Sequence, residues 1–240
     1  MARFHVRDEN AAERRVEERM RRRTEILNAA EVEAREVGWN GLTVAGVARR
    51  VRLSRGLVYI HFKQRDDLVA GIRDRAVEFL ARHMAGAATE SPTGLSKLRA
   101  ALAAAARFAQ THPLYFESFL RTEVLSLDRG IRGAGDFLGS KGEPCRRILA
   151  RVIAQGQRDG SIQSDAGEPA VVAAILWRFI YGLLQLGAGG GVRAGGKSLP
   201  LSLLVDRALD LVRASVTGDC VERPAAAAGT APAEGHHREY

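Results

Sequence analysis

Residues 43–68 read TVAGVARRVRLSRGLVYIHFKQRDDL, and no other stretch limits the possible folds as tightly. Thr43 and Ser54 are both N-cap residue types, whose hydroxyls accept from the free amides of a helix's first turn. Each is therefore expected to open a short helix, the first over 44–51 and the second from Ser54 to about His61. In the first helix Val44, Val47, Ala48 and Val51 recur at helical spacing and form its inward face. Arg52-Leu53-Ser54 is the turn between the two helices, and an aromatic and basic patch follows. From Asn40 to Arg65 there are six Arg or Lys (Arg49, Arg50, Arg52, Arg55, Lys63, Arg65) and no Asp or Glu. A small helical pair of one charge sign fits a polyanion, and DNA is the polyanion expected.

The rest of the chain agrees with that partner class. A net charge of +8 and a pI near 10.2 favour anionic partners. At 240 residues, 46% hydrophobic and 27% charged, the composition is that of one or two globular domains with a real core. Cys145 and Cys220 lie far apart, without metal-like or redox-like spacing, which points to a reducing cytoplasm. The arginine-bearing N-terminus has no apolar stretch, so a signal peptide is not expected. Residues 170–189 are nearly all apolar, but Arg178, Tyr181 and Gln185 interrupt them. An Arg near the centre of a membrane span costs ~2.5–3.5 kcal/mol, so this segment is read as a helix buried on two faces, and no membrane partner is expected.

Along the chain the apolar spacing predicts an all-α fold of about nine helices. The first ten residues are polar and are read as loose. Residues 11–37 lack Gly and Pro and place Ile26, Leu27, Ala30, Ala34 and Val37 at helical spacing, with Gly38 as the stop. The front of this helix interleaves Arg14, Arg15, Arg19 and Arg21–Arg23 with Glu13, Glu17 and Glu18. It is read as a solvated face of i,i+4 ion pairs, with Arg21–Arg23 the exceptions able to reach phosphate. Further helices are expected at 66–88, 95–110, 114–127, around Cys145 to Ile153, at 170–187 and at 199–216. No segment alternates as a strand would. Glycine-rich residues 130–142 lack both a preceding strand and a Gly-Lys-Ser/Thr ending, which argues against a nucleotide loop. A flexible stretch is expected over 187–196, and the tail beyond Gly218 is rich in Ala, Pro and Gly and is expected to be disordered.

These residues resemble a known family. Ile26-Leu27-x-Ala29-Ala30, Gly38, Leu42-Thr43-Val44-x-x-Val47-Ala48, Leu53-Ser54-x-Gly56-x-x-Tyr59-x-x-Phe62 and Leu68 are similar to the N-terminal domain of the tetracycline-repressor (TetR) family of bacterial regulators. The resemblance covers residues 21–72, and Asp159-Gly160-x-Ile162, Asp165 and Gly182 add a weaker likeness to the start of the eighth helix. Two positions depart from the pattern. Val51-Arg52 stands where the family has a small residue with glycine, and Arg65 where it has Lys.

The resemblance implies a helix-turn-helix domain at 14–65, a ligand-binding and dimerisation domain at 66–217 and a tail at 218–240. A recognition helix starting at Ser54 would enter the major groove. Arg55, or Arg52 in the turn, would read a base, since the guanidinium fork suits guanine O6 and N7. Gly56 would allow close approach and Leu57 would touch a thymine methyl. Thr43, Ser54, Tyr59, His61, Lys63 and Arg65 would meet phosphate, with Phe62 in the core. A symmetric operator requires a homodimer, expected through 170–187 and 199–216. Phe79, His83, Phe108, His112, Tyr115, Phe116, Phe119, Trp177 and Tyr181 belong to helices expected to surround a cavity for a flat or apolar effector. No cofactor, metal site or catalytic set is expected. Alternative readings are a small-molecule-binding helical protein and a non-specific DNA-binding protein.

Overall fold

The computed structural model describes residues 2–119, 142–188, 192–194 and 197–217. Its helices are α1 (Ala2–Gly41), α2 (Val44–Arg50), α3 (Arg55–His61), α4 (Arg65–Thr89), α5 (Gly94–Thr111), α6 (residues 113–119), α7 (Glu143–Asp159), α8 (Pro169–Ala188) and α9 (Leu201–Thr217). The all-α architecture is as expected from the sequence. Two differences stand out among the described residues. Helix α1 begins at Ala2, because nothing in residues 2–10 breaks a helix. Strands β1 (Val192–Ala194) and β2 (Lys197–Leu199) pair antiparallel within the glycine-rich stretch before α9. Residues 130–141 and the tail from 218 lie outside the described residues.

Local chemistry explains the boundaries. The Gly46 amide donates to Thr43 Oγ1 (3.0 Å) and the Leu57 amide to Ser54 Oγ (3.3 Å), so both caps form as read. Each such cap stabilises its helix by about 1 kcal/mol. Gln64 and Asp67 close a reciprocal capping box at the start of α4, and Thr93 and Ser96 do the same for α5. Helix α1 breaks at Gly38 (φ 70°, ψ 170°), a conformation that suits glycine.

Two hydrophobic cores share α4. Its first turns place Leu68, Val69 and Ile72 in a head core with Ile26, Leu27, Trp39, Leu42, Val47, Val58 and Phe62. Its later turns place Val77, Leu80 and Met84 in a body core with Leu98, Leu102, Leu149, Ile153, Trp177 and Leu209. A shift of α4 is therefore felt by both cores.

Candidate nucleic-acid interface and the body that carries it

Helix α3 is fixed to the head by few residues. Val58 and, at its C-terminal end, Phe62 are fully buried. The opposite surface exposes Arg55, Gly56, Leu57, Tyr59 and Ile60. Ile60 is 63% exposed and was not among the residues singled out from the sequence, while Arg49, named there only as one of six basic residues, is exposed too. The signal for Ile60 was present: once Val58 and Phe62 are assigned to the core, a residue two positions from each must face away on a helix.

The turn before α3 has an unusual occupant. Arg52 takes φ 55°, the one positive φ at a non-glycine among the described residues. Its amide donates to Arg49 O (3.2 Å), and the Leu53 amide donates to Ala48 O (3.0 Å). This is the Schellman ending of a helix, with arginine at the left-handed position where glycine is preferred. The departure from the family pattern at Val51-Arg52 therefore keeps the turn geometry, at a conformational cost of about 1–2 kcal/mol. Arg52 itself points into solvent as an exposed residue.

The six basic residues of the acid-free stretch divide into two kinds. Arg50 is used internally: it binds Glu33 (2.9 Å) and Glu36 on α1 and so ties α2 to α1. Arg65 donates to the carbonyl of Trp39 (2.6 Å), bracing the end of α1 against the start of α4. Arg49, Arg52, Arg55 and Lys63 are exposed, and no ion pair holds them among the described residues. Arg21–Arg23, set apart in the sequence as able to reach phosphate, are instead engaged within the protein. Arg21 and Arg22 pair with Glu18 and Glu25. Arg23 lies 4.3 Å over the Phe62 ring and donates to His61 O (3.2 Å), where a cation suits the C-terminal end of α3. Half-buried His61 feels this field. Desolvation, and then Arg19, Arg23 and Arg22, hold its pKa below the usual histidine value.

Among the described residues, the expected effector residues fall into two adjoining groups. Phe108, Phe116, Phe119, Trp177 and Tyr181, with Leu80, Ala105, Ile180 and Leu184, line a residual cavity of about 10 Å³, which is water-sized. Phe79, His83, His112 and Tyr115 form a second cluster that shares Phe108 and opens to the surface, with His83 exposed. The spacing that put His83 on the inward stripe of α4 is overturned here. The His83 ring meets the edge of Phe79 at 4.3 Å, and its Nδ1 lies 2.9 Å from Phe79 O, outside the core.

Tyr115 joins this cluster to the head. Its hydroxyl donates to Glu31 Oε2 on α1 (2.9 Å). Burial, and then Glu31, keep the phenol protonated to above its ordinary range. Buried Glu31 also receives Arg75 from α4 (3.1 Å), and Arg75 donates onward to Asn28 Oδ1 and Thr24 O. Body helices α4 and α6 thus both hold the helix that carries α2 and α3.

No cluster of three or more His, Cys, Asp or Glu able to hold a metal is present among the described residues. Burial pushes the Cys145 thiol up to about 12, so it is not a thiolate nucleophile. No described helix is long and apolar enough to cross a membrane.

A family model for bacterial regulatory proteins, tetR family, matches residues 26–72. Those residues are a TetR-family domain. The match ends at Ile72, the last α4 residue of the head core, so the TetR domain and the head are the same unit. No curated protein sequence matches the chain. Among solved structures, a protein of unknown function from Rhodococcus sp. RHA1 superposes with a TM-score of 0.63 at 21% identity, over 81% of this chain and 95% of that one. A TetR/AcrR-family transcriptional regulator from Thermobifida fusca YX-ER1 gives 0.57 at 18%, over 80% and 96%. FadR from Bacillus subtilis, in complex with stearoyl-CoA, gives 0.59 at 16%, over 80% and 98%. The chain as a whole has the fold of TetR-type regulators.

Proposed function

We propose that the protein is a sequence-specific, DNA-binding transcriptional repressor that acts as a homodimer and responds to an apolar effector. The observation that carries this reading is the surface of α3. Two buried residues anchor the helix, while Arg55, Leu57, Tyr59 and Ile60 stand exposed beside unpaired cations. In this reading α3 enters the major groove. Arg55 reads a guanine, Leu57 and Ile60 meet thymine methyls, and Thr43, Ser54, Tyr59, His61 and Lys63 contact phosphate. Arg65 acts mainly by bracing the head.

The homodimer is supported by the outer faces of the last two long helices. Val171, Ile175 and Phe179 recur every four residues along α8 and are exposed, as are Leu203 and Leu211 of α9. The inner face of α8 is already spent on the body core through Leu176, Trp177, Ile180 and Leu184. An apolar second face of this kind is characteristic of an interface. The effector would enter among Phe108, Phe116, Phe119, Trp177 and Tyr181. Because the present cavity is water-sized, entry requires these rings to separate, which couples binding to a shift of α4 and α6. The acyl-CoA bound by the structurally similar FadR is in keeping with an apolar effector. The protein is read as a binding protein and not as an enzyme.

Selection of the full-length protein against a random duplex library tests the reading. The expected product is a palindromic consensus with half-site centres one helical turn apart, ~34–36 Å. Enrichment of no sequence, or of a single asymmetric site, would contradict it.

A further inference from the structure

Upstream of residue 26, where the TetR match begins, α1 runs back to Ala2. Arg14, Arg15, Glu18, Arg19 and Arg22 form one wall of an open groove of about 630 Å³, and Leu57, Ile60 and His61 of α3 form the other. At 3.6 residues per turn, those four arginines and Glu18 share a face, while Glu13 and Glu17 fall on the far side. The helix thus sorts its interleaved charges, and the face toward α3 is the basic one. Its carboxylate is occupied, since Glu18 binds Arg21 (2.6 Å) and Arg22 (3.2 Å). Arg14, Arg15 and Arg19 are exposed, and no ion pair or hydrogen bond engages them among the described residues.

We propose that Arg14, Arg15 and Arg19 are phosphate-contacting residues, and that the groove between α1 and α3 seats one sugar–phosphate strand of the duplex that α3 reads. This rests on the DNA-binding function proposed above and extends the interface beyond the family domain. Three guanidinium groups with no internal partner, across the groove from Leu57 and Ile60 of α3, suit the phosphates of one strand. The contacts carry no sequence information, so they add affinity and fix register.

The test compares full-length parent with the triple variant Arg14→Gln, Arg15→Gln, Arg19→Gln, which keeps good helix formers in α1. Binding to the selected duplex and to random duplex is measured by fluorescence anisotropy across a KCl series. At about 0.9 per phosphate, the variant's log–log salt slope is expected to be shallower by about 2.7, with the preference for the selected duplex retained. A control variant on the body, Arg107→Gln with Arg158→Gln, is expected to keep the parent slope. A parental slope in the triple variant would overturn this inference alone, as would loss of sequence preference. Absence of any preference in the parent would overturn the DNA reading itself. Loss of binding to phosphatidylserine vesicles with an unchanged DNA slope would assign the strip to a membrane surface instead.

Discussion

Under the proposed function, Arg52 and His61 each set the stability of the head against duplex binding. Arg52 holds a left-handed backbone that glycine adopts without strain. Arg52→Gly is therefore expected to raise stability by about 1 kcal/mol in denaturant titrations. The same variant is expected to weaken duplex binding, since an exposed cation is lost beside α3. For His61 the folded pKa lies below the ordinary value, chiefly through burial. Its neutral form is therefore favoured in the free protein, and stability is full above the unfolded value of about 6.5 and declines as pH falls below it. The phosphate proposed to lie beside His61 would reverse the preference, so that DNA binding would take up a proton. Affinity is expected to rise between about pH 7.5 and pH 5.5 in the parent and to stay flatter in His61→Gln. The N-caps Thr43 and Ser54 were legible in the sequence because a cap acts on amides within three residues. The engagements of Arg23, Arg50 and Arg65 were not, because each partner lies 14 to 38 positions away and depends on packing.

At the level of helices, the boundaries of α2–α5, α8 and α9 were legible to within a residue or two, since caps, prolines and glycines act locally. Helix α7, by contrast, runs on to Asp159, and residues 120–127 of the helix expected at 114–127 lie outside the described residues. The β1–β2 ribbon was not legible, because three residues a side are too few to show alternation. Helical periodicity shows which residues share a face but not which of two neighbours that face meets. The expected effector set spans two clusters that share Phe108. One of them, through Tyr115, links the body to Glu31 of the head. Tyr115→Phe keeps the ring contacts and removes only the hydroxyl donated to a carboxylate. It is expected to cost about 2 kcal/mol and to speed hydrogen exchange in the α1 segment around Glu31. A second element-scale dependence is the crossing of α5 and α7. A Cβ at Gly94 would lie 2.1 Å from the Gly156 backbone nitrogen, so α5 and α7 can approach this closely only with glycine at position 94. Gly94→Ala is expected to cost about 3 kcal/mol in thermal melts, through separation of the two helices.

For the whole molecule, head and body are joined through α4 and through the Tyr115–Glu31–Arg75 contacts, and the exposed outer faces of α8 and α9 are the surfaces proposed to pair two heads. Ile175→Asp with Phe179→Asp is expected to give a folded monomer by sedimentation and to lose cooperative binding to the palindrome. The fold class was legible because amphipathic spacing recurs along nearly the whole chain. The small volume left between Phe116, Phe119 and Trp177 was not, because it depends on how those side chains fill space. The claim on which the rest depends is that α3 reads DNA through its exposed face. The most direct measurement is equilibrium binding of Arg55→Ala, Tyr59→Ala to the duplex selected by the parent, alongside random duplex and a thermal melt. Both positions are exposed, so the melt is expected to match the parent while the preference for the selected duplex disappears. Retention of that preference by a folded double variant would contradict the account.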